Sequence, residues 1–331
     1  MSRRTAAIAC ALALTACSRA HTEAPFRLGY FPNVTHAQAL VGVDDGTFAR
    51  ALPGKLETRM FNAGPAAMEA LLAGDLDASY IGPGPVAIAF LRTQGQALRV
   101  VAGAVSGGAV LVEKDARAPA DLAGKRVASP QLGNSQDVAL RTWLHDHGLR
   151  TTTAGGGDVS IRPEDNGTTV QAFEQHALDG AWVPEPYAGA LVAAGGKVLV
   201  DERALWPGGR FATTELVVRT DYLHAHPAIV QRLLQGQQDA IGVLDHDPAR
   251  AEQLIGQAIQ SATGQSVKAS SVAAALPAIT FTNDPIASSV RTQAQDAQRL
   301  GLLAKANLSG LFDLTILNGL LRKAGQPIVS S

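Results

Sequence analysis

Cysteine is almost absent from this sequence of 331 residues, in which Cys10 and Cys17 are the only two. From Ser18 onward there is none, so disulfides, thiolate nucleophiles and cysteine-ligated metals are excluded there. An excess of charge is also lacking, because 28 Lys and Arg stand against 29 Asp and Glu. Without a basic surplus, we expect no nucleic-acid partner.

Long apolar runs are missing too, and the one notable run is near the start. Arg3 and Arg4 precede about eleven mostly apolar residues, 6–16, and the run ends in Leu-Thr-Ala-Cys at 14–17. It is too short to cross a bilayer and has the layout of a secretory signal. Its ending resembles the bacterial lipobox, in which the cysteine is acylated after cleavage. We therefore expect a signal peptide over 1–17, a lipid anchor at Cys17 and a tether over 18–25. The alternative is a plain signal peptide cut at another small residue.

The rest of the sequence repeats one plan: a short strand, a loop rich in Gly, Pro and Asn, and then a helix. The plan occurs over 26–46, 56–74 and 76–92. Such alternation predicts parallel α/β sheets covered by helices. Strand candidates near 110 and near 212 predict two crossings between two lobes. The predicted lobe 1 is 26–110 with 212–331, and the predicted lobe 2 is 111–211.

The stretch 125–144 shows this plan most clearly, with a strand stopped by Pro130 and a helix starting at about Asn134. Asn134 is expected to cap the helix through its side-chain oxygen, and Asp137 to reach back towards the Asn134 amide as in a capping box. Two interpretations remain open. Either Gly133 keeps the loop bare so that free helix amides face an anion, or this is a well-capped surface helix.

Five loops occupy equivalent positions after strands, at 31–36, 62–65, 82–85, 106–108 and 131–137. Ligands of open α/β sheets bind at this edge. Apart from Asp137 the loops carry no charged residue, and their Asn, Ser, Gln and His predict a small anion held by backbone amides and hydroxyls. No close carboxylate pair, His-Glu-x-x-His spacing or Gly-x-Ser-x-Gly elbow occurs in them. We therefore expect no enzyme, no metal site and no cofactor.

Four residues in or near these loops have two interpretations each. His36 donates to the anion, or it is a cap or packing partner. Trp182 stacks on the organic part of a ligand, or it fills the core. Glu185 hydrogen-bonds a ligand amine or a hinge amide. Asp137 would repel an anion, so it either points away as a cap or meets the cationic group of a zwitterion such as taurine.

Five motifs in this order resemble the substrate-binding proteins of ABC importers for nitrate, aliphatic sulfonates and taurine. They are Gly-Tyr-Phe-Pro-Asn at 29–33, Ala-Leu-Leu-Ala-Gly-Asp-Leu-Asp-Ala at 70–78, Gly-Pro-Gly-Pro at 82–85, Ser-Pro-Gln-Leu-Gly-Asn-Ser-Gln-Asp at 129–137 and Asp-Gly-Ala-Trp-Val-Pro-Glu-Pro at 179–186. The resemblance covers about residues 26–260. It implies a two-lobed periplasmic-binding-protein fold, type II-like, with two hinge crossings. Such a fold closes on a ligand and delivers it to a membrane permease and its ATPase.

The resemblance also implies which residues face the cleft. They are Asn33, His36, Gly64, Pro83, Gly84, Pro85, Ser106, Gly107, Gly108, Gln131, Gly133, Asn134, Ser135, Gln136, Asp137, Trp182 and Glu185. Relatives for nitrate and bicarbonate often place a charge in the cleft, so these neutral loops favour an aliphatic sulfonate or taurine.

Several alternatives remain open. The ligand is nitrate or a thiamine pyrimidine precursor, the latter with Glu185, Trp182 and Tyr187 as its carboxylate and aromatic contacts. Otherwise the chain is an enzyme on the same fold, or a sensor that docks on a membrane partner without transport. In the leading interpretation it is a periplasmic or extracytoplasmic monomer that is lipid-anchored to a membrane.

Overall fold

The computed structural model describes residues 24–264 and 269–331. The predicted signal peptide, its lipobox and the lipidation site Cys17 lie outside these residues. Within the two described ranges, no helix combines the length and the apolar character that crossing a bilayer requires.

The strands and helices alternate along much of the chain. The strands are β1 Phe26–Tyr30, β2 Leu56–Met60, β3 Ala78–Ile81, β4 Leu98–Gly107, β5 Ala109–Glu113, β6 Arg126–Ser129, β7 Ser160–Pro163, β8 Gly180–Pro184, β9 Lys197–Asp201, β10 Ala212–Arg219 and β11 Ile279–Phe281. The α-helices are α1 Ala37–Asp44, α2 Thr47–Ala51, α3 Gly64–Leu72, α4 Pro83–Arg92, α5 Ser135–Asp146, α6 Asn166–Glu174, α7 Tyr187–Ala193, α8 Thr220–Ala225, α9 Pro227–His246, α10 Pro248–Thr263, α11 Ala269–Ala275, α12 Ala287–Arg299 and α13 Thr315–Lys323.

Two separate sheets divide the molecule into two lobes. The sheet of lobe 1 has six strands in the order β11-β4-β10-β3-β1-β2, and the sheet of lobe 2 has five in the order β7-β6-β8-β5-β9. The strands that open the repeated plan pair in parallel, as β1 does with β2 and β3 and β6 with β7 and β8. Their carboxyl ends therefore lie at one edge of each sheet. The expected α/β class with two lobes is confirmed.

The central strands of each sheet are buried between two layers of helices, which explains the nearly continuous apolar sequences of β3, β5 and β8. In lobe 1 one face packs on α1, α9 and α10 and the other on α3, α4 and α12. In lobe 2 one face packs on α5 and the other on α6 and α7. This packing leaves the loops at the carboxyl edges free to face the opposite lobe.

The chain passes between the sheets twice. It leaves lobe 1 at Gly107 and Gly108, both with positive φ (+82° and +77°), and it returns between β9 and β10. At Gly107 a side chain is also excluded by space, because an added Cβ would collide with the carbonyl oxygen of Ala278. The predicted loop 106–108 is therefore the end of β4 and the crossing into β5.

Helix α12 makes a further contact between the lobes. It packs against both α4 of lobe 1 and α5 of lobe 2. Val138 of α5 is buried in an apolar cluster with Val290 and Ala294 of α12. Near the other end of α5, Arg299 Nη1 lies 3.3 Å from Asp146 Oδ1. The two lobes are therefore joined by apolar contacts in addition to the two crossings.

Candidate functional site

A polar cleft lies between the two lobes at the carboxyl edges of both sheets. It is lined by Phe31, Asn33, Thr35, His36, Asn62, Gly82, Pro130, Asn134, Ser135, Gln136, Asn166, Pro184 and Thr213. Four of these residues lie just beyond a strand end: 31 after β1, 62 after β2, 82 after β3 and 130 after β6. The cleft therefore lies where open α/β sheets bind ligands, outside the carboxyl ends of their strands.

His36 contributes a neutral imidazole to the cleft. Its side chain is 2% exposed and stacks on Phe31 with ring centroids 4.3 Å apart. Burial lowers the pKa of His36 to about 3, so the ring is uncharged at neutral pH. Its Nδ1 has no hydrogen-bond partner in the described structure. His36 is therefore both a packing partner of Phe31 and a polar group of the cleft.

The first turn of α5 supplies the lobe 2 wall. Asn134 caps this helix as predicted, because its Oδ1 accepts a hydrogen bond from the amide of Gln136 at 3.0 Å. The expected capping-box contact of Asp137 with the Asn134 amide is wrong. The Asn134 amide donates to the carbonyl of Gln131, while the Asp137 carboxylate accepts from the amide of Gly133 at 3.0 Å. Asp137 therefore braces the loop that precedes the helix.

The lobes touch directly across the cleft. The amide of Gly84 donates to Ser135 Oγ at 3.1 Å, and the amide of Val34 donates to the carbonyl of Glu185 at 3.0 Å. Gly84 approaches Ser135 closely, since an added Cβ would lie 3.1 Å from the Ser135 Cα. The described conformation is thus a closed one, in which glycine at 82 and 84 allows the approach.

No Asp, Glu, Lys or Arg is among the cleft-lining side chains of the described residues. The nearest candidate, Asp137, is 0% exposed and forms an ion pair with Arg141, whose Nε lies 2.9 Å away. Asp137 also accepts from Ser129 Oγ at 2.8 Å. Its carboxylate is therefore committed to lobe 2, and the cleft itself carries hydrogen-bonding groups without formal charge.

The structure places the predicted site residues in three groups: in the cleft, outside it, and at the hinge or in the lobe 2 core. Asn33, His36, Asn134, Ser135 and Gln136 come together in the cleft, and Gly84 meets Ser135 at its edge. Gly64, Pro83, Pro85, Gln131, Gly133 and Asp137 do not line it. Of these, Gly64 approaches Pro85, and Pro85 and Gly133 border a separate pocket together with Met68 and Ile88.

The other predicted residues lie at the hinge or in the lobe 2 core. Ser106, Gly107 and Gly108 belong to the crossing, where Ser106 Oγ accepts from the amide of Phe211 at 3.2 Å. The Glu185 amide donates to the Gly108 carbonyl at 2.9 Å, and its Oε2 accepts from the amide of Gly189 at 3.1 Å. Trp182 is 0% exposed in the lobe 2 core. The Glu185 carboxylate therefore binds an amide of α7 and not a hinge amide, while its backbone contacts the hinge and Trp182 fills the core.

Sequence reasoning missed several cleft residues. The loops predicted from the sequence contain Phe31, Thr35, Asn62 and Gly82. The prediction therefore failed only in which residues of each loop it selected. Asn166 follows β7 and begins α6, and the same strand-loop-helix rule would have found it. Thr213 lies on β10, and no pattern in the sequence signals its position.

A protein-family model matches most of the chain. Residues 19–259 match the model of the NMT1-like family, and the chain belongs to that family. It is 29% identical over 203 residues to the taurine-binding periplasmic protein of Escherichia coli, a match that covers 61% of this chain. The same match covers 61% of that relative's own length, so less than two thirds of it is represented.

Solved structures show the same fold at low sequence identity. The alkanesulfonate-binding protein SsuA from Xanthomonas axonopodis, bound to MOPS, has a TM-score of 0.70 and 22% identity, covering 86% of this chain and 96% of SsuA. The periplasmic nitrate-binding protein NrtA from Synechocystis has a TM-score of 0.74 and 14% identity, covering 92% of this chain and 89% of NrtA. The expected two-lobed periplasmic-binding-protein fold is confirmed.

Proposed function

We propose that this chain is the extracytoplasmic substrate-binding lipoprotein of an ABC importer and that it captures a small organic anion, an aliphatic sulfonate or taurine. It breaks no bond in that ligand. The observation that supports this most is the chemistry of the cleft, whose described lining residues offer hydrogen bonds from both lobes without a formal charge. Its partners are a permease with its ATPase and, through Cys17, a membrane. It acts as a monomer.

A sulfonate suits neutral donors. It stays ionised at any physiological pH, and its oxygens only accept hydrogen bonds, so burial requires several donors to replace water. Ser135 Oγ accepts from Gly84, which leaves the hydroxyl hydrogen of Ser135 to donate. The N-terminus of α5 adds the positive end of a helix dipole. The fixed dipoles of the cleft thus take the place of a counterion.

Capture and delivery follow from contact with both lobes. A ligand held by groups of both lobes binds the closed state more tightly than the open one, and it shifts the equilibrium by that difference. Domain closure around a hinge is a known way of coupling such binding to a partner. The permease then distinguishes the loaded protein by its closed shape.

Calorimetry and thermal unfolding with purified protein test the ligand class. Ethanesulfonate, taurine, nitrate and the thiamine pyrimidine precursor form the panel. We expect binding heat with a sulfonate and, at a concentration of about 100 times its Kd, a gain in unfolding free energy of about 2.7 kcal/mol. Heat from nitrate or from the pyrimidine alone would contradict the sulfonate assignment. Turnover of a bound ligand would contradict a binding protein altogether.

Replacement of Gly82 by alanine tests the closure. The backbone of Gly82 (φ −69°, ψ 150°) suits any residue, but an added Cβ would lie 2.6 Å from Ser135 Oγ in the closed state. Ser135 must then turn away and give up its bond from Gly84. We expect Gly82→Ala to weaken sulfonate binding about tenfold, the equivalent of one net hydrogen bond.

The variant Ser135→Ala supplies the matched background, because it removes the oxygen that the new methyl group meets. There, adding Gly82→Ala is expected to cost little further affinity. The two losses would be non-additive, as for residues in contact. If the double variant instead loses affinity by the product of the two single fold-changes, Gly82 and Ser135 do not meet in the ligand-bound state.

A further inference from the structure

Two buried polar atoms of the cleft have no hydrogen-bond partner in the described structure: His36 Nδ1 in lobe 1 and Asn166 Oδ1 in lobe 2. Both residues line the cleft, and Asn166 is only 6% exposed. A buried acceptor without a donor costs free energy, so native proteins rarely keep one without a reason. In a ligand cleft, that reason is a donor on the ligand.

The local structure gives Asn166 no other role. Asn166 is the first residue of α6, a position where a carboxamide often caps a helix. Here the neighbouring Asp165 already does so, with its Oδ1 accepting from the Thr168 amide at 3.0 Å and its Oδ2 from the Thr168 hydroxyl at 2.7 Å. The Asn166 oxygen is therefore not needed to hold the helix.

A plain alkanesulfonate does not satisfy this oxygen. Its three sulfonate oxygens are acceptors and its chain is apolar, so it pairs with donors such as the Ser135 hydroxyl and leaves Asn166 Oδ1 unpaired. An oxygen buried against a methyl group keeps the whole desolvation cost. Sites with such an unpaired group discriminate against ligands that lack the matching donor.

We infer that the ligand carries a hydrogen-bond donor at the end opposite its sulfonate, and that Asn166 is the residue that selects for it. This inference rests on the proposed sulfonate site and narrows its ligand class to short hydroxy- or aminoalkanesulfonates. The sulfonate lies at the N-terminus of α5, near Ser135, and the donor end lies at the N-terminus of α6. A hydroxyl group and an ammonium group can each donate this hydrogen bond to Asn166.

A matched series of two-carbon sulfonates tests the inference by calorimetry. Ethanesulfonate, 2-hydroxyethanesulfonate and taurine share a two-carbon chain. They differ only in whether the second carbon carries a hydrogen, a hydroxyl group or an ammonium group. We expect at least one donor-bearing ligand to bind about tenfold more tightly than ethanesulfonate, as one satisfied buried acceptor predicts. A preference for the hydroxyl identifies a neutral donor and a preference for taurine a cationic one, and either supports the inference.

Variants of Asn166 connect this preference to the residue. In Asn166→Ala the ratio between donor-bearing ligand and ethanesulfonate should fall to about one, because the variant removes the unpaired oxygen that disfavours ethanesulfonate. Asn166→Asp keeps an acceptor and adds charge, so it should shift the preference towards taurine. Gln171→Ala, which alters an exposed residue of the same helix outside the cleft, is the control and should preserve the ratio.

The outcomes separate the inference from the proposed function. Equal binding of all three sulfonates by the unaltered protein, or an unchanged ratio in folded Asn166→Ala, overturns the role of Asn166 but keeps a sulfonate-binding protein. Binding of none of the three overturns the proposed ligand class and the inference with it.

Discussion

Replacement of Asp137 by alanine is expected to lower the free energy of unfolding by about 3–5 kcal/mol, the usual cost of removing one partner of a buried ion pair. The partner, Arg141, is 2% exposed and would be left as an uncompensated charge. Its Nη1 also donates to the Thr152 carbonyl at 2.6 Å, which fixes it in place. The guanidinium therefore cannot reach water without breaking lobe 2.

The loss extends to the loop that forms the cleft. The Asp137 carboxylate holds the Gly133 amide and the Ser129 hydroxyl, so its removal frees two donors in the segment that leads into Asn134. We expect Asp137→Ala to weaken sulfonate binding as well, although the carboxylate does not line the cleft. Urea unfolding measures the first effect and calorimetry the second.

Two controls identify the buried pair as the cause. Asp146→Ala removes an exposed aspartate from the same helix, where the ion pair with Arg299 is open to solvent, and should cost less than about 1 kcal/mol. The double variant Asp137→Leu with Arg141→Met removes both charges and should recover much of the stability. A single Asp137→Ala variant as stable as Asp146→Ala would show that Arg141 is not held as described.

The sequence predicted the architecture well because periodicity and turn residues are local signals. The repeated strand-loop-helix order defines both sheets. A glycine pair such as Gly107 and Gly108 is a local signal too, because glycine readily adopts the positive φ that both residues have at the crossing. Asn134 was found as a cap for the same reason, since capping involves residues only two apart. Such features need no knowledge of the rest of the fold.

The positions of Trp182 and Asp137 depended on distant residues. A tryptophan in a strand has the same sequence signal whether it faces a cleft or a core. Its side chain is held in the core by α5 and by Glu202, twenty residues on. Asp137 and Arg141 stand four apart on a helix, a spacing that is common on exposed surfaces. Burial of that pair follows from the packing of α5 between the lobes, which periodicity alone does not give.

Glu202 is a buried carboxyl group that holds Trp182 in place. It is 4% exposed, and Trp182 Nε1 donates to its Oε2 at 2.8 Å. Burial raises the pKa of Glu202 from its ordinary value of 4.5 to about 8, and the bond from Trp182 opposes that rise only in part. The folded protein therefore keeps a proton that the unfolded chain releases at lower pH.

Replacement of Glu202 by glutamine is expected to remove a pH-dependent loss of stability. Between pH 4.5 and about 8 the folded state binds more protons at this site than the unfolded state, so rising pH destabilises the unaltered protein. The loss is about 1.4 kcal/mol per pH unit within that window and ends above it. Glutamine keeps an oxygen for Trp182 but carries no such proton. The variant should therefore gain about 4 kcal/mol over the unaltered protein by pH 8 and no pH-dependent advantage below pH 4.5.

Urea unfolding at a series of pH values, followed by tryptophan fluorescence, measures this difference. Subtracting the two curves cancels the groups that both proteins share, so the remaining slope belongs to position 202. Glu174→Gln, on the exposed surface of the same lobe, reports the effect of removing a negative charge without the burial. Parallel curves for Glu202→Gln and the unaltered protein from pH 5 to 8 would mean that Glu202 is ionised in the folded state. The bond to Trp182 would then be charge-assisted, and the variant would be less stable than the unaltered protein at every pH in that range.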